Sequence, residues 1–225
     1  MTVFTAIFGN YDYLKEPLVV TPGWQYICFT DQPLTSKVWE IRQITPDDAR
    51  LAAKEVKITP HHFGIESPSI YIDGSFIINC DLNKFYAKHN GSISFSRNPF
   101  RKCAYEEIGA CLRNKRDSYS ALMEHKARLL KLGVKKNNGM AASGVIMRSG
   151  REWEPFCDLW MSEYILGCNR DQVAWAAANH YMREAVSWFE FDYRDSSEMI
   201  FIPHNTRPAK QKATVQHWQS KGIQI

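Results

Sequence analysis

Several of this chain's apolar runs end on polar side chains that could do chemistry. The run Ser69-Ile70-Tyr71-Ile72 stops at Asp73-Gly74-Ser75. A carboxylate at the mouth of a buried strand can hold a divalent cation through hard oxygen, and a diphosphate can complete the shell. The glycine beside it lets a ligand come close to the backbone. The same tripeptide reads equally well as a plain Asp-Gly turn between two strands. His204 follows Phe201-Ile202-Pro203. It is the candidate to complete a metal site begun by Asp73, with a structural or surface histidine as the plainer alternative.

Other groups offer parts of a site. His61 and His62 follow Thr59-Pro60 and could meet phosphate or simply start a new segment. Lys54 and Lys57 could balance a diphosphate as point cations, or lie on a solvated helix face. Asp171-Gln172 opens a helical stretch after Asn169-Arg170, where aspartate is also a favoured helix-start residue. A carboxylate and an amide there could face a sugar or an acceptor. Asn137-Asn138-Gly139 supplies amides on a loop, suited to sugar hydroxyls. Glu106-Glu107 is either a carboxylate pair or helix surface.

The elements that must position these groups follow from local pattern. Strands are expected at 3–8, 24–30, 38–44, 69–72, 76–80, 92–95, 144–148 and 199–203, where apolar and β-branched residues cluster between turn residues. Helices are expected at 49–56, opened by Pro46-Asp47-Asp48 with acidic first-turn residues, and at 104–113, 118–132, 153–166 and 171–183. Gly133 is expected to cap the third of these. Strands alternate with helices, which implies an α/β protein with a mixed sheet flanked by helices, parallel in its first half. Ligands of such sheets bind beyond the C-terminal strand ends, where Gly9-Asn10-Tyr11-Asp12, Asp73-Gly74-Ser75 and His204-Asn205 could meet. One domain is expected over 1–206, followed by a basic C-terminal tail at 207–225.

Composition narrows the classes. With 44% hydrophobic and 23% charged residues among 225, the chain can bury a core without staples. Six cysteines without a C-x-x-C pair disfavour a zinc ribbon or a redox motif, and reduced structural thiols are expected. The start lacks the basic and apolar regions of a secretory leader, and no apolar run approaches the roughly 20 residues of a membrane span. The expected setting is therefore cytoplasmic (host cytoplasm for a viral protein), with no membrane partner. Net charge is +4, with basic clusters at 97–116 and 126–136 that read as solvated surface or as a phosphate-binding face. No P-loop, dinucleotide glycine fingerprint or nucleophile elbow is present, which disfavours kinases, dehydrogenases and serine hydrolases.

The ordered set Phe4-Thr5-Ala6-Ile7-Phe8-Gly9 with Tyr11-Asp12, Cys28-Phe29-Thr30-Asp31, Lys57-Ile58-Thr59-Pro60-His61, Tyr71-Ile72-Asp73-Gly74-Ser75, Tyr105-Glu106-Glu107, Lys136-Asn137-Asn138-Gly139, Ser143-Gly144-Val145-Ile146 and Arg170-Asp171-Gln172 resembles one family. It is the glycosyltransferase-like family formerly called domain of unknown function 616, which includes plant mucilage glycosyltransferases and is similar to GT-A glycosyltransferases. The resemblance runs from residue 3 to about residue 175. It implies a Rossmann-like GT-A fold and transfer of a sugar from a nucleoside-diphosphate sugar, assisted by Mn2+ or Mg2+. Ala6, Phe8, Gly9, Tyr11 and Asp12 would surround the nucleotide, with Lys57, His61 and Ser75 near the diphosphate. Asp73 and His204 would hold the metal, and Asp171, Gln172 and Asn138 would serve the reacting sugar. The chain departs from the family's Asp-x-Asp pattern, because its third residue is Ser75. A glycan or protein acceptor is the first expectation. A modified base in DNA, flipped from the duplex, is the second, and a non-catalytic nucleotide- or nucleic-acid-binding module is the reading from another class.

Overall fold

The computed structural model describes residues 1–192, 194–204 and 208–225, so Asn205 and Arg207 lie outside the described residues. Strand β1 (Thr2–Ile7) lies between β2 (Gln25–Thr30) and β4 (Ser69–Ile72), parallel to both, with Thr2 opposite Gln25 on one side and Ser69 on the other. The short β3 (Glu40–Gln43) extends the parallel part beyond β2. On the other side β7 (Ala141–Arg148) runs antiparallel to β4 and to β6 (Ile93–Arg97), and β8 (Val186–Trp188) closes the edge parallel to β6. The order is β3-β2-β1-β4-β7-β6-β8, a mixed sheet parallel in its first half as expected. A separate two-stranded ribbon pairs β5 (Phe76–Ile78) with β9 (Met199–Phe201).

The central strands bury both faces, and the period-2 alternation of side chains sorts them. Phe4, Tyr71 and Ile146 enter one core with Val56, Trp160 and Trp175. Val3, Ile70, Ile72, Val145 and Met147 enter the other with Phe76, Phe85 and Phe201. The first core packs under α1 (Ala49–Ile58), α3 (Ala104–Arg113), α4 (Tyr119–Lys131), α5 (Glu154–Leu166) and α6 (Asp171–Tyr181). The ribbon and α2 (Leu82–Tyr86) contribute to the second.

Local chemistry sets the ends that matter for the site. Asp48 caps α1 by accepting from the Arg50 and Leu51 amides at 2.8 and 3.0 Å. It is therefore the cap, and the first turn carries no acid. A 3₁₀ turn at Pro60–Phe63, closed by Gly64 in the left-handed region, then reverses the chain toward β4. Fully buried Arg148 donates to the Lys57 carbonyl at 2.8 Å and pins the last turn of α1 to the sheet. Ser118 caps α4, and Gly133 follows it with φ +78°, as its helix-end role requires.

Several elements differ from the sequence reading. The third strand is four residues rather than seven, β5 stops at Ile78, and β7 starts three residues earlier, at Ala141. Helix α2 and edge strand β8 were not expected, being too short to show periodicity. Much of the stretch read as a basic tail is a helix, α7 (Pro208–Ser220), held by buried Trp218 against Ile200 and Ile202. All six cysteines are free. Among the described residues no helix is long and apolar enough to cross a membrane.

Candidate active site

Strand β4 delivers Asp73 to the C-terminal edge of the parallel strands, where its amide donates to the Gly144 carbonyl at 2.8 Å. Its Oδ1 accepts from the Tyr71 hydroxyl at 2.8 Å and from Lys57 Nζ at 3.3 Å. Lys57 reaches there from α1 through a side chain only 3% exposed, and its ammonium also meets Asp171 Oδ2 at 2.8 Å. Lys54, one helical turn earlier, meets the same Asp171 oxygen at 3.1 Å, and the Ser143 hydroxyl of β7 donates to it at 3.2 Å. Two lysines and two aspartates thus form one chain of contacts across β4, β7, α1 and α6. The spacing of three residues puts both lysines on one face of α1.

The electrostatics follow from burial and pairing. Burial opposes ionisation of Asp171, but Lys54, Lys57 and Arg170 outweigh it and hold its carboxyl well below the usual carboxylate range. Burial by itself would lower the Lys57 pKa, but Asp171 and Asp73 more than offset it and raise the ammonium above its usual value. Both groups are therefore charged at neutral pH. Asp171 also sits in the first turn of α6, where the helix dipole favours a negative charge. Next to it Gln172 Nε2 donates to the Ala141 carbonyl at 3.2 Å. Asn138 lies on the loop that enters β7 at this same edge, beside Gly139, where an added Cβ would come 3.6 Å from Trp188.

A second group forms on the other side of the Asp73 turn. Asp12 packs against Gly74, where an added Cβ would come 3.3 Å from the Asp12 Cβ and 3.1 Å from Ile7. That crowding explains the glycine. Asp12 Oδ2 meets His204 Nδ1 at 2.7 Å, and the Tyr11 ring lies 4.6 Å from the imidazole. The Ser75 carbonyl accepts from the Ile202 amide at 2.7 Å, which ties this turn to the end of β9. Lys15 bonds the Gly74 carbonyl. Gly9, at φ +63°, turns its amide onto the Asp31 carboxylate at 2.9 Å. Phe8 is buried in the helix-side core, and Ala6 packs at its margin.

The donors suit a divalent cation in kind. Asp73, Asp12 and Ser75 offer oxygen and His204 offers nitrogen, a set that Mn2+ or Mg2+ accepts. Asp12 Oδ1 and Ser75 Oγ are buried with no hydrogen-bond partner among the described residues, and buried polar atoms left so are costly. Asp12, Asp73 and His204 do not, however, bring three ligand atoms within 4.8 Å of one another among those residues.

The structure therefore brings Asp73, Lys57, Asp171, Gln172 and the Asn138 loop to one edge, with Tyr11, Asp12, Ser75 and His204 beside them. It does not bring His61 there. His61 follows α1 and contacts Trp153, whose indole donates to Ser67 near the start of β4, so it stands at the opposite strand end from Asp73. Glu107 is buried between Arg101 and Arg170, at 2.7 and 3.3 Å, and Glu106 accepts from the Lys102 amide, so that pair is structural. Three contacts were not read from the sequence: the Tyr71 hydroxyl on Asp73, the Ser143 hydroxyl on Asp171 and the Lys15 ammonium on the Gly74 carbonyl. For Tyr71 a signal existed, since side chains two apart on a strand share a face and its hydroxyl reaches Asp73.

No family model matches this chain, and no curated protein sequence does. Among solved structures, mouse xyloside xylosyltransferase 1 in its apo form aligns with TM-score 0.50 at 6% identity, covering 84% of this chain and 84% of that one. The galactosyltransferase LgtC, in complex with donor and acceptor sugar analogues, aligns with TM-score 0.47 at 9% identity over 84% of this chain and 73% of that one. The apo bifunctional glycosyltransferase WbbM gives TM-score 0.48 at 10% identity over 83% of this chain, which spans 38% of WbbM's length. At such identities the likeness concerns the fold: this chain is an α/β protein whose mixed seven-stranded sheet, flanked by helices, matches GT-A glycosyltransferase structures.

Proposed function

We propose that the protein is a glycosyltransferase that moves a sugar from a nucleoside-diphosphate sugar to an acceptor hydroxyl. The observation that carries the reading is the Tyr71–Asp73–Lys57–Asp171–Lys54 network at the C-terminal edge of the parallel strands, with its Lys57–Asp171 ion pair buried and Asp73 and Lys54 half-buried. Charges this costly to bury are more readily understood as parts of a site than as supports for the fold. In the reaction the bond from the anomeric carbon to the diphosphate breaks with its electron pair leaving on the diphosphate oxygen, a bond to the acceptor oxygen forms, and the acceptor hydroxyl gives its proton to solvent. Asp171, Gln172 and Asn138 would orient the reacting sugar. Lys57 would act as a positioning residue that fixes both aspartates. Tyr11, Asp12, Gly9, Ala6 and Phe8 would shape the nucleotide side of the crevice, the last from within the core.

Asp73 would meet Mn2+ or Mg2+, with Asp12, Ser75 and His204 beside it rather than converged on one point, and the ion would supply neutralisation of the leaving diphosphate. The narrower kinship with the domain-of-unknown-function-616 family rests on the ordered sequence motifs. For the acceptor, a glycan or protein is the favoured reading. Arg101 is committed to Glu107, Arg128 to Glu163, and Arg97 lies over the Trp188 ring at 4.4 Å. These engagements thin the basic face that a DNA duplex would need.

The test is release of nucleoside diphosphate from a panel of sugar nucleotides, with and without Mn2+, for the wild type and Asp73→Ala. Turnover that Asp73→Ala abolishes supports the proposal. Absence of turnover with every donor refutes it and leaves the non-catalytic binding module. A salt-sensitive mobility shift on duplex DNA would move the acceptor reading to nucleic acid.

A further inference from the structure

A second cluster of metal-type ligands lies away from the sheet edge just described. His61 and His62 stand on the 3₁₀ turn after α1, and Asp158 stands on α5. His61 Nε2 is 3.0 Å from Asp158 Oδ1, and His62 Nε2 is 3.8 Å from the same oxygen. The three ligand atoms all fall within 4.8 Å of one another, a convergence reached by no other group of three or more His, Cys, Asp or Glu among the described residues.

From this geometry we infer that His61, His62 and Asp158 form a binding site for a zinc-type divalent transition ion. A tetrahedral ion with ligand arms of about 2.0–2.1 Å sets neighbouring ligand atoms about 3.3 Å apart, and the two measured separations bracket that spacing. Two imidazoles and one carboxylate suit Zn2+, Co2+ or Ni2+, whereas Mg2+ and Ca2+ prefer all-oxygen shells. The turn that carries both histidines is held at its two ends. Pro60 starts the turn, Gly64 ends it with φ +70°, and the Trp153 ring at 5.2 Å backs the His61 imidazole. His62 and Asp158 are 62% and 52% exposed in their side chains, which leaves an entry path and open coordination positions for water. Glu154, on the preceding turn of α5, is already held by Arg151 at 2.7 Å.

Bound there, the ion joins two segments 97 residues apart, the turn after α1 and helix α5. It acts as a staple at the edge opposite Asp73. His61 Nδ1 is buried with no partner among the described residues, so the ligand lacks the outer hydrogen bond that strengthens structural zinc sites about 10–100-fold. The site is therefore of moderate affinity.

The experiment is calorimetric titration of ZnCl2 into the full chain, in chelator-treated buffer, for the wild type, His62→Ala, Asp158→Asn and Asp73→Ala. His62→Ala leaves the His61–Asp158 contact in place, so it separates a metal site from a plain hydrogen bond, and circular dichroism checks that each variant is folded. The expected result is one Zn2+ per chain in the wild type, the same affinity in Asp73→Ala, and binding at least about tenfold weaker in both His62→Ala and Asp158→Asn. No saturable binding by the wild type, wild-type affinity in His62→Ala or Asp158→Asn, or loss of binding in Asp73→Ala would each overturn the assignment. The outcome does not depend on whether the sheet edge transfers sugars.

Discussion

Replacing Lys57 by methionine tests the central network most directly. The side chain is 3% exposed, and its ammonium serves Asp171 at 2.8 Å and Asp73 at 3.3 Å. Methionine keeps the length and removes the charge, so Asp171 stays buried with less compensation. Breaking one partner from a buried ion pair costs about 3–5 kcal/mol. The low end applies here, because Lys54 remains 3.1 Å from Asp171 and the Ser143 hydroxyl 3.2 Å away. A loss of about 3 kcal/mol lowers Tm by about 6–12 °C in a chain of this size.

The pH dependence gives an independent check. The Asp171 carboxyl is held well below its usual range, so its stabilisation is complete above the unfolded value of about 3.9 and drains away as pH falls through the folded value. The Lys57 pKa is raised, so its share is complete below the unfolded value of about 10.4 and is lost as pH rises through the folded value. The gap between wild type and Lys57→Met should thus be widest between about pH 5 and pH 10 and should close toward acid. Thermal melts across that range measure it. A Tm within about 2 °C of wild type at neutral pH, or a gap that persists unchanged in acid, would refute the account of the network.

Three further outcomes are expected. Asp73→Asn should lower nucleoside-diphosphate release at least about 100-fold, yet cost less stability than Lys57→Met, because Lys57 keeps Asp171 at 2.8 Å; turnover near wild type would remove Asp73 from the site. Chelation should suppress turnover and Mn2+ should restore it, with His204→Ala needing at least about tenfold more Mn2+; an unchanged metal requirement would confine His204 to its bond with Asp12. Trp218→Ala should cost about 3 kcal/mol at α7, whose packing rests on this buried ring with Ile200 and Ile202, and limited proteolysis should then cut within 208–220; resistance equal to wild type would show that the helix is held by other contacts.

Much of the scaffold was legible because its signals are local. Val3 to Phe8 alternates between two cores, Asp48 offers a cap, and Gly133 supplies the left-handed residue that ends α4. The site was legible only as separate pieces. Asp73 and Asp171 stood out by position, but nothing local says that Lys57 bridges them, since that contact exists only once β4, α1 and α6 have packed. Lys54 and Lys57 read either as diphosphate cations or as a solvated helix face, and nothing local decides between them, since their contacts with Asp171 form only on packing. Helix α7 was hidden by composition. Its lysines and glutamines suggested a tail, while Pro208 at its first position and the single buried Trp218 carried the information. His61 follows the Lys57 motif in sequence, but it packs on Trp153 beside Ser67, at the other end of β4 from Asp73.

The direction of the bonds to Asp73 bears on how the site would work. Both Tyr71 and Lys57 approach Oδ1. A carboxylate held through one oxygen is fixed in rotation, and its other oxygen is the one left to meet a ligand. Asp73 is also the more exposed acid of the network, at 26% of its side chain against 8% for Asp171. The two acids therefore differ in what they can do. Asp171, paired to two lysines and shielded, keeps its charge and holds its place beside Gln172. Asp73 has one oxygen committed to the scaffold and the carboxylate at the crevice mouth, which suits it to meet a charged ligand without losing the contacts that orient it. A cation arriving there would repel Lys57, and Asp171 at 2.8 Å is placed to absorb that repulsion by keeping the lysine where it is. On this reasoning Asp171→Asn should weaken metal-dependent turnover even where Asp73 is intact. Its apparent Mn2+ requirement should rise along with the loss of rate, and an unchanged requirement would separate the two aspartates into independent roles.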